Sequence, residues 1–147
     1  LIALKSRVPS MVDDVIINKA ATIEHCCNRA REEYRNAGDR FDQDFTRQDA
    51  AILNIQRACE AAIDLAAYLV KRDRLGMPQS SGELFELLVQ HGYIDPPLGG
   101  VLRKMVGFRN TAVHNYQKIL LPIVVAIIKR QLDDLSRFAR TVIQHNA

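Results

Sequence analysis

The stretch from Ala50 to Val70, which reads AAILNIQRACEAAIDLAAYLV, decides the fold. Its apolar residues recur at spacings of three and four, which is typical of an α-helix. They cover more of the helix surface than the single stripe of a helix that packs on one side only. The sequence therefore predicts a helix from about Arg47 to about Asp73 at the centre of a helical bundle, with its apolar set at Ile52, Leu53, Ile55, Cys59, Ile63, Ala66, Leu69 and Val70.

A long amphipathic helix is predicted before this stretch, starting at Met11 and ending near Gly38. Its apolar face consists of Val12, Val15, Ile16, Ile23, Cys26, Cys27, Ala30 and Tyr34. Residues 1–10 are expected to be a remnant of an upstream or vector-encoded segment, because Met11 followed by a clean helical pattern resembles a natural start. Thr46 and Asp49 are predicted to cap the first free amides of the central helix.

Three more helices are predicted on the C-terminal side. Ser80 and Glu83 form a capping pair for a short helix that ends at Gly92. Asp95 is a predicted N-cap, because the two prolines after it fit the first turn of a helix. Pro122 fits the first turn of the last helix for the same reason. Together these signals predict an all-α antiparallel bundle of about five helices.

Composition agrees with one globular domain, predicted to span residues 11–147. Of the 147 residues, 48% are hydrophobic and 25% are charged. The net charge of +3 is spread along the chain, so it permits a polyanionic partner without demonstrating one. Cys26, Cys27 and Cys59 lie on apolar stripes, which predicts buried thiols and a reducing compartment. No apolar run reaches the roughly 18 residues that a membrane span needs, so we expect a cytoplasmic protein.

The stretch from Gly107 to Tyr116, GFRNTAVHNY, carries the residues with chemical potential. The guanidinium of Arg109 is a fork of donors that matches phosphate oxygens. The imidazole of His114 can take and give a proton near neutral pH. On a regular helix these two residues lie about 140° apart around the axis and about 7.5 Å apart along it. Asn110 shares a face with His114, so the cluster is predicted to wrap one edge of the helix.

Helical spacing also places Tyr116 seven residues beyond Arg109, on nearly the same face, in a stripe with Val113 and Leu120. Two such helix edges that meet across a two-fold axis would bring two arginines and two histidines into one groove. The sequence therefore favours a homodimer with a shared site.

Metal-independent RNA cleavage fits this set of side chains. The ribose 2′-hydroxyl would attack the adjacent phosphorus, while His114 moves protons and Arg109 stabilises the charge on the phosphoryl oxygens. Asn110 would orient the imidazole or the phosphate. The expected products are a 2′,3′-cyclic phosphate and a 5′-hydroxyl, and DNA should resist cleavage. No cofactor and no metal site are predicted.

The pattern Arg109-Asn110-x-x-x-His114-x-Tyr116 resembles the arginine, four to six residues, histidine motif of HEPN-domain ribonucleases, and most closely their HepT toxin branch. The segment from Asn54 to Asp64 resembles that branch's second helix, and the segment from Leu75 to Ser81 its following turn. The resemblance extends over nearly everything from Met11 onward.

This resemblance implies a HEPN-like homodimer that cleaves RNA as the toxin of a type VII-like HEPN/MNT toxin-antitoxin system. The implied partner is a minimal nucleotidyltransferase antitoxin of the MntA type. By the same likeness Arg109 and His114 are catalytic, Asn110 supports them, and Tyr116 accepts AMP from the antitoxin. Phosphates added at Tyr116 would compete for the guanidinium and block the groove.

Structural interpretations of the same residues remain open. His114 could be an ordinary structural histidine, Arg109 an ion-pair partner of Glu60 or Asp64, and Tyr116 a core residue with a hydrated hydroxyl. The polar set Gln56, Arg57, Glu60 and Asp64 could orient Arg109, contact the antitoxin or only fix packing.

The alternative function is a non-catalytic HEPN binding module that partners a nucleotidyltransferase. Such a module needs its interface but not the histidine. A scaffold without a nucleic-acid role is a third possibility, which leaves the polar cluster unexplained.

Overall fold

The computed structural model describes the backbone of residues 2–146 and the side chains of residues 14–146, and this part of the chain contains helices and turns but no strand. The last predicted helix consists of two α-helical segments joined without a break by the π-helical turn Ile127–Gln131, so the predicted all-α fold is confirmed. The α-helices are α1 Ile2–Ala37, α2 Phe45–Arg72, α3 Ser81–Gln90, α4 Pro96–His114, α5 Leu121–Ala126 and α6 Leu132–His145.

Helix α2 lies at the centre of the bundle, as its broad apolar surface predicts. It contacts α1, α3, α4 and α6. Ile55, Leu65 and Leu69 are completely buried. One predicted core residue, Leu53, is instead 42% exposed, because it lies on the strip of α2 that no other described helix covers.

Helix α1 ends at Ala37, one residue before the predicted stop at Gly38, whose φ of +57° a glycine adopts readily. Its backbone is already helical from Ile2, nine residues before the start predicted at Met11. The side chains of Met11 and Val12 lie outside the described residues. The assignment of residues 1–10 to a segment outside the domain therefore stays a prediction.

Two of the three predicted helix caps are confirmed. The Ser80 hydroxyl accepts a hydrogen bond from the Glu83 amide at 3.3 Å, and the Asp95 carboxylate accepts one from the Leu98 amide at 2.8 Å. The predicted cap of α2 is wrong. The N-cap is Asp44, which accepts from the Arg47 amide at 3.1 Å, so α2 begins before Thr46. Asp49 therefore lies beyond the first turn of α2 and does not cap the helix.

A fully bonded polar cluster, called here the closed cluster, consists of Arg72 and Asp73 at the C-terminal end of α2 and Tyr93 after α3. The Arg72 guanidinium donates twice to the Asp73 carboxylate, at 2.7 Å each, and the Tyr93 hydroxyl donates to the same carboxylate. The hydrogen bonds from Arg72 and Tyr93 outweigh burial and lower the pKa of Asp73, whereas burial and the bond to Asp73 raise the pKa of Tyr93.

The described part of the chain contains no helix that is both long enough and apolar enough to cross a membrane.

Candidate active site

Helix α4 carries Arg109 and His114, the two residues predicted to be catalytic, and it ends at His114. It is α-helical from Pro96 to His114, so Arg109 and His114 lie on different faces of one helix, as predicted. Asn115 closes the helix with φ −152° and ψ 50°, and its amide donates to the Thr111 carbonyl at 2.8 Å. These two backbone angles turn the chain away from the helix axis.

The predicted position of Tyr116 is therefore wrong. Tyr116 does not continue the helix but begins the 3₁₀ turn Tyr116–Lys118. Its relation to Arg109 and Val113 is set by this turn and by its contact with α2, and not by helical periodicity. Here the name open edge is given to the four site residues Arg109, Asn110, His114 and Tyr116.

Arg109 is half-buried on the side of α4 that faces α2. Its Nε atom is buried and has no hydrogen-bond partner among the described residues. The expected alternative partners are engaged elsewhere. Asp64 forms an ion pair with Lys19 at 3.0 Å, and Glu60 accepts a long hydrogen bond from Gln56 at 3.4 Å. The interpretation of Arg109 as an ion-pair partner of Glu60 or Asp64 is thus wrong.

His114 and Asn110 are both exposed, one helical turn apart on α4. Neither side chain forms a hydrogen bond with another residue in the range 14–146. His114 is therefore not a satisfied core histidine. Both imidazole nitrogens are available to a ligand, and the amide of Asn110 is available beside them.

Tyr116 is 42% exposed, and its hydroxyl donates a hydrogen bond to the carboxylate of Asp49 on α2. Burial of part of the ring and the bond to Asp49 raise the pKa of Tyr116 to about 12. The interpretation of Tyr116 as a core residue is wrong in its main element, since the ring edge is accessible. The hydroxyl is nevertheless held in a defined place.

Asp49 is the residue near the site that sequence reasoning missed. Its spacing from Thr46 suggested a helix cap, and nothing in its immediate sequence indicates a partner 67 residues away. The only sequence signal was its place on the outer side of α2, in line with Phe45 and Leu53 at intervals of four.

The two chain segments that carry Asp49 and Tyr116 also carry exposed apolar side chains. On α2 they are Phe45, 73% exposed, and Leu53, 42% exposed, each one helical turn from Asp49. In the segment that carries Tyr116, Val113 and Leu120 are 46% and 61% exposed. A cavity of about 300 Å³ lies beside this end of α4, lined by Lys104, Gly107, Phe108, Thr111, Lys118, Ile119, Leu120 and Ile123.

The three cysteines lie in the core, and Cys59 is near enough to Arg109 that the arginine's charge partly offsets the rise that burial causes in the pKa of that thiol. Cys26, Cys27 and Cys59 are all buried, as predicted, and burial raises the pKa of Cys27 to about 12.

The described residues contain no group of three or more histidine, cysteine, aspartate or glutamate side chains arranged to hold a metal ion. His25, beside two of the cysteines, is exposed and points away from them into solvent.

Comparisons with known proteins agree on one family. The family model described as Ribonuclease HepT-like matches residues 23–142. The protein named mRNA nuclease HepT from Shewanella oneidensis is 49% identical over 127 residues, which are 86% of this chain and 95% of that protein. The chain therefore belongs to the Ribonuclease HepT-like family.

Solved structures share the fold. The tri-AMPylated Shewanella oneidensis HEPN toxin, solved in complex with MNT antitoxin, superimposes with a TM-score of 0.83 at 47% identity, covering 88% of this chain and 96% of that one. YutE, a cytosolic protein of unknown function from Bacillus subtilis, has a TM-score of 0.76 at 17% identity, covering 88% of this chain and 87% of that one. The second likeness concerns the fold alone.

Proposed function

We propose that this chain is a ribonuclease toxin of a HEPN/MNT toxin-antitoxin system, which cleaves RNA at the open edge and is silenced by AMP transfer to Tyr116. The observation that carries the proposal is the state of Arg109: a buried guanidinium nitrogen without a partner, on the same helix end as an exposed histidine. A buried donor without a partner costs about 1–3 kcal/mol, and a phosphate oxygen would satisfy it.

The roles of the side chains follow from their positions. Arg109 stabilises negative charge on the phosphoryl oxygens, because its fork is not occupied by a carboxylate. His114, with both nitrogens free, takes the proton of the 2′-hydroxyl or protonates the leaving 5′-oxygen. Asn110 supports by orienting the imidazole or a phosphate oxygen. The reaction uses the ribose hydroxyl as nucleophile and needs no metal ion.

A homodimer explains how Arg109 and His114 could act on one phosphate although they lie on different faces of α4. His114 and Arg109 lie about 140° apart around α4, so a single helix cannot direct both at one phosphate without a second surface. The exposed apolar residues Phe45, Leu53, Val113 and Leu120 supply the kind of surface that an isologous contact buries. We therefore place the shared groove where two open edges meet.

The antitoxin in this proposal is a minimal nucleotidyltransferase of the MntA type. The relative solved with its MNT antitoxin carries three AMP units. In this chain Tyr116, which is 42% exposed and lies two residues after His114, is the acceptor that we assign. AMP at this position would bring phosphate groups beside the catalytic histidine and occupy the space of the RNA backbone.

The test is cleavage of total RNA by purified wild-type chain, confirmed free of AMP by intact mass, in the presence of EDTA. We expect cleavage by the wild type and none by His114→Ala or Arg109→Ala. The products should carry 2′,3′-cyclic phosphate ends, and a single 2′-deoxy substitution should protect its own linkage. Loss of cleavage in EDTA would contradict the metal-independent mechanism, and an inactive unmodified wild type would favour the non-catalytic binding module.

A further inference from the structure

The pair formed by Tyr116 and Asp49 ties a local turn to a distant helix. The backbone bonds of the turn are short-range: the Lys118 amide donates to the Asn115 carbonyl at 2.9 Å, and the Ile119 amide to the Tyr116 carbonyl at 3.1 Å. The bond from the Tyr116 hydroxyl to Asp49 spans 67 residues. It connects the segment that follows His114 to the exposed face of α2.

We propose that Asp49 is a positioning residue, which holds Tyr116 on α2 before modification and expels it afterwards. This inference rests on the proposed function, because it takes Tyr116 as the AMP acceptor. The transfer forms a bond between the phenolic oxygen and the α-phosphorus of a nucleoside triphosphate, and pyrophosphate leaves. The phenolic proton passes to the Asp49 carboxylate, with which it is already hydrogen-bonded, and from there to water.

Two changes at the phenolic oxygen then oppose the original contact. The oxygen becomes an ester oxygen without a proton, so it can no longer donate to Asp49. The new phosphodiester carries a negative charge and stands directly against a carboxylate, which disfavours the seated position. A modified Tyr116 therefore leaves α2, since the hydrogen bond is lost and charge repulsion takes its place.

Release of the tyrosine reaches the catalytic end of α4. The 3₁₀ turn Tyr116–Lys118 starts immediately after Asn115, the residue that closes α4 behind His114. If the turn detaches, the C-terminal end of α4 loses one of its ties to α2, the one nearest to His114 on its C-terminal side. Modification would thus displace the histidine as well as fill the groove, and Asp49 converts a covalent change into a conformational one.

The hydrogen bond itself is tested without RNA or antitoxin. In protein labelled with 3-fluorotyrosine, the ¹⁹F resonance of position 116 is assigned with Tyr116→Phe and titrated with pH. We expect Asp49→Asn to lower the midpoint of position 116 by about one pH unit, a tenfold change in acidity, since the negative charge that opposes ionisation is removed. Asp73→Asn is the matched control, which should move the resonance of position 93 and leave position 116 alone. Equal midpoints in wild type and Asp49→Asn would overturn the proposal.

Expulsion is tested by hydrogen exchange of the peptide that covers residues 115–120. We expect AMP transfer to speed exchange in the wild type by roughly tenfold or more, as expected when local bonds open, and by clearly less in Asp49→Asn. O-methyltyrosine at position 116, which replaces the donor proton by an uncharged methyl group, should give an intermediate effect. p-Carboxymethylphenylalanine at position 116, which adds a charge, should act like AMP.

These analogues separate the inference from the proposed function, because neither needs an antitoxin. Faster exchange with the charged analogue, reversed by Asp49→Asn, supports the role of Asp49 even if intact mass shows that the chain gains no AMP; that mass result would overturn the modification alone. Unchanged exchange with AMP or with the charged analogue would overturn the role of Asp49.

Discussion

In two tyrosine–aspartate pairs of this protein the tyrosine hydroxyl donates to the carboxylate, but the two carboxylates differ in their other partners. In the closed cluster Tyr93 donates to Asp73, and the fork of Arg72 donates to the same carboxylate at 2.7 Å with two nitrogens. At the open edge Tyr116 donates to Asp49, but none of the arginines in residues 14–146 joins the pair. The first set of side chains is therefore complete within the chain, whereas the second is not.

The two regions also differ in the hydrogen bonding of their arginines, Arg72 and Arg109. Two nitrogens of Arg72 donate to Asp73 as a bidentate fork, which suits a residue that stabilises the fold. Arg109 keeps a buried Nε without a partner among the described residues, while Asp64 pairs with Lys19 and Glu60 accepts from Gln56. A folded chain that leaves such a donor unpaired forgoes stability at this position. Under the proposed function, the open edge is arranged for a ligand, whereas the closed cluster serves the fold.

The largest expected effect is at His114. We expect His114→Ala to lower the rate of RNA cleavage by roughly 10²–10⁴-fold, because a general acid or base contributes that much. The free energy of unfolding should change by less than about 0.5 kcal/mol, since the side chain is exposed and unbonded. Cleavage kinetics and urea unfolding measure the two quantities. The exposed His25 provides the control, because His25→Ala should leave both unchanged; a His114→Ala variant with normal cleavage would remove the histidine from the mechanism.

Substitution of each arginine by lysine tests the comparison directly. Arg109→Lys should lower cleavage by roughly 10²-fold, because a point charge replaces the fork that stabilises the phosphoryl oxygens. Its unfolding free energy should stay within about 0.5 kcal/mol of the wild type. Arg72→Lys should do the reverse, losing about 1 kcal/mol of stability with normal cleavage, since one of two hydrogen bonds to Asp73 is lost. Equal effects of the two substitutions on both readouts would erase the distinction between the regions.

Acid should weaken the closed cluster. Hydrogen bonds from Arg72 and Tyr93 lower the pKa of Asp73 in the folded chain, so its stabilising contribution is present above the ordinary aspartate pKa of about 4 and is lost as the pH falls through the folded-state value. Between pH 5 and pH 2, Asp73→Asn should therefore flatten the decline of the unfolding free energy. Urea unfolding at several pH values measures this pH dependence of the unfolding free energy. Asp42→Asn, at an exposed aspartate, should keep the wild-type slope; an unchanged slope in Asp73→Asn would show that the cluster contributes nothing in solution.

The smallest effects on stability are expected at the two tyrosines. Tyr93→Phe should cost about 1 kcal/mol, because it leaves a partly buried carboxylate short of a donor. Tyr116→Phe should cost about 0.5 kcal/mol or less, because its ring and partner are more exposed. Only Tyr116→Phe should abolish mass gain on co-expression with an MntA-type nucleotidyltransferase. Thermal unfolding and intact mass measure these outcomes, and AMP found on Tyr93 would reverse the assignment.

Most of the fold could be predicted from the sequence, because its signals are local. The caps at Ser80 and Asp95 act within four residues, and the burial of Ile55 and Leu69 follows from helical periodicity. The same local rules identified Arg109, Asn110 and His114 as neighbours on one helix, and these lie on α4 as predicted.

The rest depends on contacts between residues distant in sequence. Helical periodicity continued beyond His114 predicts that Tyr116 lies on the same helix. Asn115 ends α4, however, and the hydrogen bond to Asp49 holds the tyrosine hydroxyl at α2. The absence of a partner for Arg109 is likewise a property of the packed bundle. The spacing in the sequence could not show that Asp64 pairs with Lys19 and Glu60 with Gln56, and that neither pairs with Arg109.

The most direct test of the central claim is RNA cleavage by unmodified wild type and His114→Ala, side by side in EDTA, with both chains shown by intact mass to carry no AMP. We predict that the wild type cuts total RNA and leaves 2′,3′-cyclic phosphate ends, while His114→Ala leaves the RNA intact. Intact RNA with the wild type at stoichiometric concentration, or equal cutting by both chains, would contradict it.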